Sequence, residues 1–209
     1  MIASAPALNK KQEQRLASLE ALQSAALNLF VSQGYHATNL DQIATSVNLT
    51  KGAVYFYFKS KEALLLKLLT EVETIVVTQA IDTVDSKSSK PVDRLVDYLH
   101  YQANLGITHR NEVLLLILIS LEFKERPGAV NELITKFTQR QISWFEDLIK
   151  EGQKSGDFRT DIPVRELASF VLAANDGVFL EWFRRSKVLK GKELVKVLRL
   201  MIVDGITAK

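Results

Sequence analysis

Residues 38–62 read TNLDQIATSVNLTKGAVYFYFKSKE, and the spacing within them decides the fold at this end of the chain. Thr38 is a capping residue type, and it precedes Leu40, Ile43 and Ala44 on one face of a short helix. Ala44 is small where two helices would cross closely. Asn48 stands at a tight turn, and asparagine tolerates the left-handed conformation better than most residues. Leu49 is placed to plug that turn from inside, and Thr50 to cap a second helix. Two short helices joined by a turn of about three to four residues make a helix-turn-helix, whose second helix is presented to the major groove of DNA.

The second helix has an unusual content: Lys51, Gly52, Ala53, Val54, Tyr55, Phe56, Tyr57 and Phe58. Val54 and Phe58 are four apart and share the inward face. Lys51, Ala53, Tyr55, Phe56 and Tyr57 fall nearer the outside. Core packing of a small head explains Val54 and Phe58, but not three further aromatics on so short a helix. Tyrosine hydroxyls and lysine ammonium groups are good phosphate ligands, and Ala53 and Phe56 suit contact with a thymine methyl. Gly52 lets a phosphate backbone approach closely. Lys61, just beyond, and the capping residues Thr38 and Thr50 complete the expected set of DNA contacts.

Further out, long amphipathic segments with only four prolines and nine glycines predict an all-helical chain. One helix is expected over residues 11–33, closed by Gly34. Ser60 should cap a longer helix that carries Leu64, Leu65, Leu68 and Leu69 on one face. Further helices are expected near 92–107, 110–123, 127–154, 163–185 and 191–205, with Pro127 and Pro163 in first turns and Gly156 and Gly191 in connections. The polar stretch 85–91 reads as a loop. The pattern implies a three-helix DNA-binding head over residues 1–59 and a larger helical body over 60–209.

Composition narrows the function classes. Hydrophobic residues make up 47% of the 209, enough for a sizeable core, and there is no cysteine for disulfides, thiolate metal sites or a thiol nucleophile. Met1–Ala7 lacks the pattern of a signal peptide, and the apolar run Val113–Leu121 is about half the roughly 20 residues of a membrane span. A cytoplasmic protein is expected. The net charge is only +3, so contact with DNA must be local: up to Glu62 there are Lys10, Lys11, Arg15, Lys51, Lys59 and Lys61 against Glu13, Glu20, Asp41 and Glu62. An enzyme is not expected. His36, His100 and His109 are not paired at metal-ligand spacing, and no glycine-rich phosphate loop or nucleophile elbow occurs, so neither metal nor cofactor is implied.

Thr38, Ile43–Ala44, Leu49–Thr50–Lys51–Gly52, Tyr55, Tyr57–Phe58 and Lys61–Glu62–Ala63–Leu64 resemble the N-terminal signature of the TetR family of repressors. Ala25–Ala26, Leu29–Phe30 and Gly34–Tyr35 are similar to its first helix, so the resemblance spans residues 20–68. Asn48 stands where the family usually has glycine, Val47 where it often has alanine, and Phe56 where polar residues are common. The resemblance implies a homodimer on a palindromic operator, with a C-terminal domain that binds a small molecule and moves a fourth helix, here residues 60–84, to release DNA. The last two helices would form the dimer surface, through Leu167, Phe170, Val171, Ala174, Val178 and Trp182 on one and Leu194, Val197, Leu198, Met201 and Ile202 on the other. Asn175 and Asp176 interrupt an apolar helix; they would line a pocket, pair across the dimer, or cap a kink beside Gly177. Other pocket candidates are His100, Asn104, Phe123, Phe137 and Trp144, for an apolar or amphipathic effector. The residues leave open a helical protein-interaction regulator with no small-molecule effector.

Overall fold

The computed structural model describes residues 9–87 and 90–208, so Met1–Ala7 and the middle of the expected 85–91 loop lie outside the described residues. Among the described residues there are ten α-helices, one π-helical turn and a single antiparallel bridge between Phe158 and Thr207. No described helix is long and apolar enough to cross a membrane. The chain divides into two compact units.

The first unit contains the residues up to Thr70 together with Leu114–Asn131. Helix α1, Lys10–Gln33, starts from a capping box in which Asn9 and Gln12 satisfy each other's backbone N–H groups. It stops at Gly34, whose φ of 92° is open to glycine at no steric cost. Helix α2, Leu40–Ser46, buries Leu40, Ile43 and Ala44 as the spacing predicts. Its cap, however, is Asn39, boxed with Gln42, and not Thr38. Asn48 adopts φ 56°, the left-handed turn residue that the sequence required. Helix α3, Lys51–Tyr57, is capped by Thr50, whose Oγ1 accepts the Ala53 N–H at 3.2 Å. Helix α4, Lys61–Glu73, follows with Ser60 accepting the Ala63 N–H at 3.0 Å and with Leu64, Leu65, Leu68 and Leu69 buried.

That unit is larger than the 1–59 segment expected from sequence. The first ten residues of α4 bury their leucines in it, and so does the C-terminal part of α7, Arg110–Glu122, where Leu114, Leu115 and Ile119 are buried.

The second unit contains Glu71–Val113 and the chain from Glu132 onward. After α4 the helix passes through a π turn, Thr74–Thr78, into α5, Gln79–Asp85. The remaining helices are α6, Pro91–Thr108; α8, Ala129–Ser155; α9, Val164–Arg185; and α10, Gly191–Ile206. Pro127 lies two residues ahead of α8 and Pro163 at the N-cap of α9, while Gly191 opens α10 instead of preceding it. The core joins Ala80, Leu95, Tyr98, Leu99, Phe145, Leu148, Phe158, Val171, Leu198 and Ile202. Tyr98 is its hub, with the Trp144 ring stacked at 5.3 Å and Phe145 edge-on at 4.7 Å.

Phe158 reaches this core only because Gly152 has no side chain. A Cβ there would lie 2.1 Å from Cδ2 of the Phe158 ring. Gly152→Ala is therefore expected to destabilise the protein by about 1–3 kcal/mol, the usual penalty of overpacking, read as a lower urea midpoint at unchanged slope.

Candidate nucleic-acid interface and cavity

Helix α3 is fixed on three sides within its unit. Val54 and Phe58 are buried, the Leu49 N–H donates to the Ala44 carbonyl at 2.9 Å, and the Tyr57 hydroxyl donates to the Arg15 carbonyl at 3.2 Å. What remains outward is Lys51, Gly52, Tyr55 and Phe56, with Ala53 half-buried. Phe56 is 65% exposed and Tyr55 45% exposed, so neither ring is there to fill the core of this unit. The Arg15 guanidinium sits over the Phe56 ring at 5.0 Å, a cation–π contact that brings a positive charge to the same surface. Arg15 was not among the expected contacts; in sequence it is one of three bases near the start of α1, with Lys10 and Lys11. Lys51 pairs with Asp41 at 2.7 Å, and this hydrogen bond and charge raise the Lys51 pKa. Both partners are exposed, so the pair is weak enough for a phosphate to displace. At Gly52 an added Cβ would meet nothing of the protein closer than 3.9 Å, so its bareness serves the outside of the helix.

Two residues of the expected contact set do other work. Thr38 is 1% exposed; its hydroxyl donates to the Gly34 carbonyl at 2.9 Å and accepts from Gln33 Nε2 at 3.1 Å, so it cannot reach a phosphate. The Lys61 ammonium donates to the carbonyls of Tyr35 and Thr38, each at 2.6 Å, and lies 4.2 Å from the Tyr35 ring centroid. With a third contact to the His36 carbonyl at 3.4 Å, its donors are committed to the turn between α1 and α2. Burial lowers the Lys61 pKa, and burial followed by Glu62 and Glu122 raises that of Tyr35. Lys61 clamps the start of α4 to the turn between α1 and α2.

In the second unit, α6, α9 and α10 enclose a cavity of about 860 Å³ that opens to the surface. Its inner lining is apolar, from Leu99, Val178, Phe179, Trp182, Leu194 and Leu198, while Lys192, Lys196 and Arg199 bring positive charge to it against the single acid Glu193. Of the seven pocket candidates, His100, Asn104 and Asn175 line this cavity. The other four do not. Phe123 packs against Tyr35 in the first unit, Phe137 is buried on α8, and Trp144 stacks on Tyr98 while donating its Nε1–H to the Asp85 carboxylate at 3.1 Å. Asp176 is not among the residues lining the cavity; α9 runs unbroken past Gly177, and burial lifts the Asp176 pKa to about 6. Val178, placed on the dimer surface by sequence, is half-buried and turned to the cavity.

A buried helix-turn-helix scaffold presenting exposed aromatic and basic side chains defines a DNA-binding regulator. Comparison with known proteins agrees. Residues 22–68 match the model of the bacterial regulatory proteins, tetR family. The chain is 41% identical to the MbdR regulator from Azoarcus sp. CIB, over 90% of this chain and 98% of that one, and the structures superpose with a TM-score of 0.83. It is 27% identical to the transcriptional repressor DhaR of Mycobacterium sp. (strain GP1), over 79% of this chain and 80% of the relative. The FadR regulator of Bacillus subtilis, solved in complex with stearoyl-CoA, shares the fold at a TM-score of 0.72 and 20% identity, over 90% of this chain and 98% of that one. The chain belongs to the TetR family and is a helix-turn-helix transcriptional regulator.

The two lysines should separate cleanly in a salt titration of DNA binding. Lys51→Ala is expected to reduce the slope of log affinity against log salt by about 1, with little change in stability. Lys61→Ala is expected to destabilise the fold by about 1.5–3 kcal/mol through loss of charged hydrogen bonds, while leaving the salt slope as it is. A slope lowered by Lys61→Ala would return that residue to the contact set.

Proposed function

We propose that this protein is a ligand-responsive repressor that binds a palindromic operator as a homodimer and is released by a small molecule. The observation that carries the reading is the outward surface of α3, where Phe56 and Tyr55 stand exposed beside Lys51 with no partner in the core of their unit. An apolar ring left in water on a seven-residue helix is a liability unless it meets a ligand, and a thymine methyl is the ligand that this helix geometry offers. Residues 1–59 then serve as the reading head and 60–209 as the regulatory body, acting in the cytoplasm where the DNA is.

Dimerisation is assigned to α9 and α10. Leu167, Val171, Leu198 and Ile202 of the expected dimer set are buried inside the subunit, which leaves Phe170, Val197 and Met201 exposed, joined by Leu200. Ala173, Gly177 and Gly205 are exposed on the same two helices and allow close approach of a second copy. Two helices from each subunit suit a four-helix interface, and a two-fold axis there puts both heads on one operator. Phe170→Lys is accordingly expected to give monomers in sedimentation and to weaken operator binding. A dimer of undiminished stability would remove this face from the interface.

The effector belongs in the cavity between α6, α9 and α10. Its apolar lining with Lys192, Lys196 and Arg199 favours an amphipathic anion over a purely apolar molecule. Selection of sites from a random DNA pool at two salt concentrations tests the whole reading. A palindrome with half-sites about one DNA turn apart, roughly 34–36 Å, is expected. Recovery of single half-sites would overturn the dimeric reader, and recovery of nothing above background would overturn operator recognition.

A further inference from the structure

The helix that leads out of the head does not continue regularly. At Thr74–Thr78 it takes a π turn, in which the Gln79 N–H reaches back to the Thr74 carbonyl. A π turn holds one residue more than the helix needs; such turns are rare and are frequently found at functional sites. This one is held from two sides. On one side Arg140 of α8 donates to Glu73 at 3.1 Å and to the Thr78 hydroxyl at 2.6 Å. On the other, two consecutive residues of α6 donate to the turn's own carbonyls: the Tyr101 hydroxyl to Ile75 at 3.2 Å and Gln102 Nε2 to Val76 at 2.9 Å.

Gln102 is the unusual member of this set. It is only 7% exposed, its Nε2 also donates to the Tyr98 hydroxyl at 2.9 Å, and it lines the cavity beside Leu99, Ala103 and Val178. One residue therefore lines the cavity and caps the π turn at once. An amide has two N–H donors, and here both are engaged. A hydrogen-bond acceptor arriving in the cavity competes for them.

We propose that Gln102 is the positioning residue that couples the cavity to the helix α4–α5. A ligand bearing a carboxylate, sulfonate or carbonyl draws the Gln102 amide toward the cavity and uncaps Val76. The π turn then loses a bond holding its extra residue, and the extra residue is free to move along the helix. A shift of one residue turns everything on one side of it by about 100° and 1.5 Å relative to the other, so a local loss becomes a large rotation of α4. The ligand part of this proposal rests on the assignment of the cavity as the effector site.

The probe is 1-anilinonaphthalene-8-sulfonate, an apolar molecule with one sulfonate, and the readout is amide hydrogen exchange of the full-length protein over residues 74–84. Energy transfer from tryptophan to the bound probe, reduced by more than half in Trp182→Phe, places it in the cavity. In the wild type, saturating probe is expected to speed exchange of these amides by about fivefold or more. Gln102→Leu, which keeps the bulk and removes the donors, is expected to show that faster exchange without the probe and to respond to it by less than about twofold. Should Gln102→Leu fail to fold, Tyr101→Phe takes only the hydroxyl from Ile75 and is read in the same way. Probe bound in the cavity with exchange unchanged overturns the coupling and leaves the cavity assignment standing. Exchange in the variant equal to the wild type's also overturns it. A probe that shows no transfer from Trp182 overturns the cavity assignment, and the coupling falls with it.

Discussion

One ammonium group sets the geometry of the DNA-reading unit. Lys61 is the first residue of α4, and its Nζ is held by the carbonyls of Tyr35 and Thr38 in the turn between α1 and α2. Desolvating a lysine is unfavourable, which is why its pKa falls, and the charge-assisted bonds to backbone oxygens offset that cost. The carbonyls it takes lie in the turn between two helices, where Tyr35 otherwise accepts only a 3.3 Å bond from the Thr38 N–H, so the clamp serves both partners. It ties the start of α4 to the place from which α2 is launched. Helix α3 lies between those two points in the chain, so its direction follows from the clamp together with its own buried Val54 and Phe58.

The same turn is held from a second direction. The His36 ring stacks against Phe123, and its Nε2 contacts both Glu122, at 2.7 Å, and the Arg126 guanidinium. Phe123 also packs edge-on against Tyr35 at 5.3 Å. Residues 35–38 are thus pinned by the first turn of α4 and by the end of α7, more than eighty residues further along the chain. The compact unit therefore takes in Leu114–Asn131, which no reading of the N-terminal motif alone would include.

How much was legible follows from the range of each interaction. Val54 and Phe58 inward, Asn48 left-handed, Thr50 and Ser60 as caps, and Gly34 as the stop are all decided within about four residues, and all were readable. Thr38 and Asn39 show the limit, because both are good capping types and adjacent. Gln42 resolves the choice, since a capping box needs the glutamine three residues after the cap, which makes the cap Asn39. That frees Thr38 to turn inward. Lys61 is a harder case. A lysine beside a DNA-binding helix reads as a phosphate ligand, and only the fold brings carbonyls from 23 and 26 residues away to its ammonium.

The cavity was less legible because periodicity says which side of a helix faces inward, not whether the facing helices meet. His100 and Asn104, four apart on α6, share a side that borders a gap. Trp144 belongs to an equally amphipathic helix but finds Tyr98 and Asp85 instead, and so closes the space it was expected to line. The π turn was beyond sequence altogether, since Glu73-Thr74-Ile75-Val76-Val77-Thr78 continues the α4 pattern with no glycine or proline to mark a break. The turn is met by donors from other helices, Tyr101 and Gln102 of α6 and Arg140 of α8. Stability of a helix register is then no longer a property of that helix. It depends also on side chains of α6 and α8, and one of them, Gln102, lines the cavity, which is the condition under which binding there can alter the register of this helix.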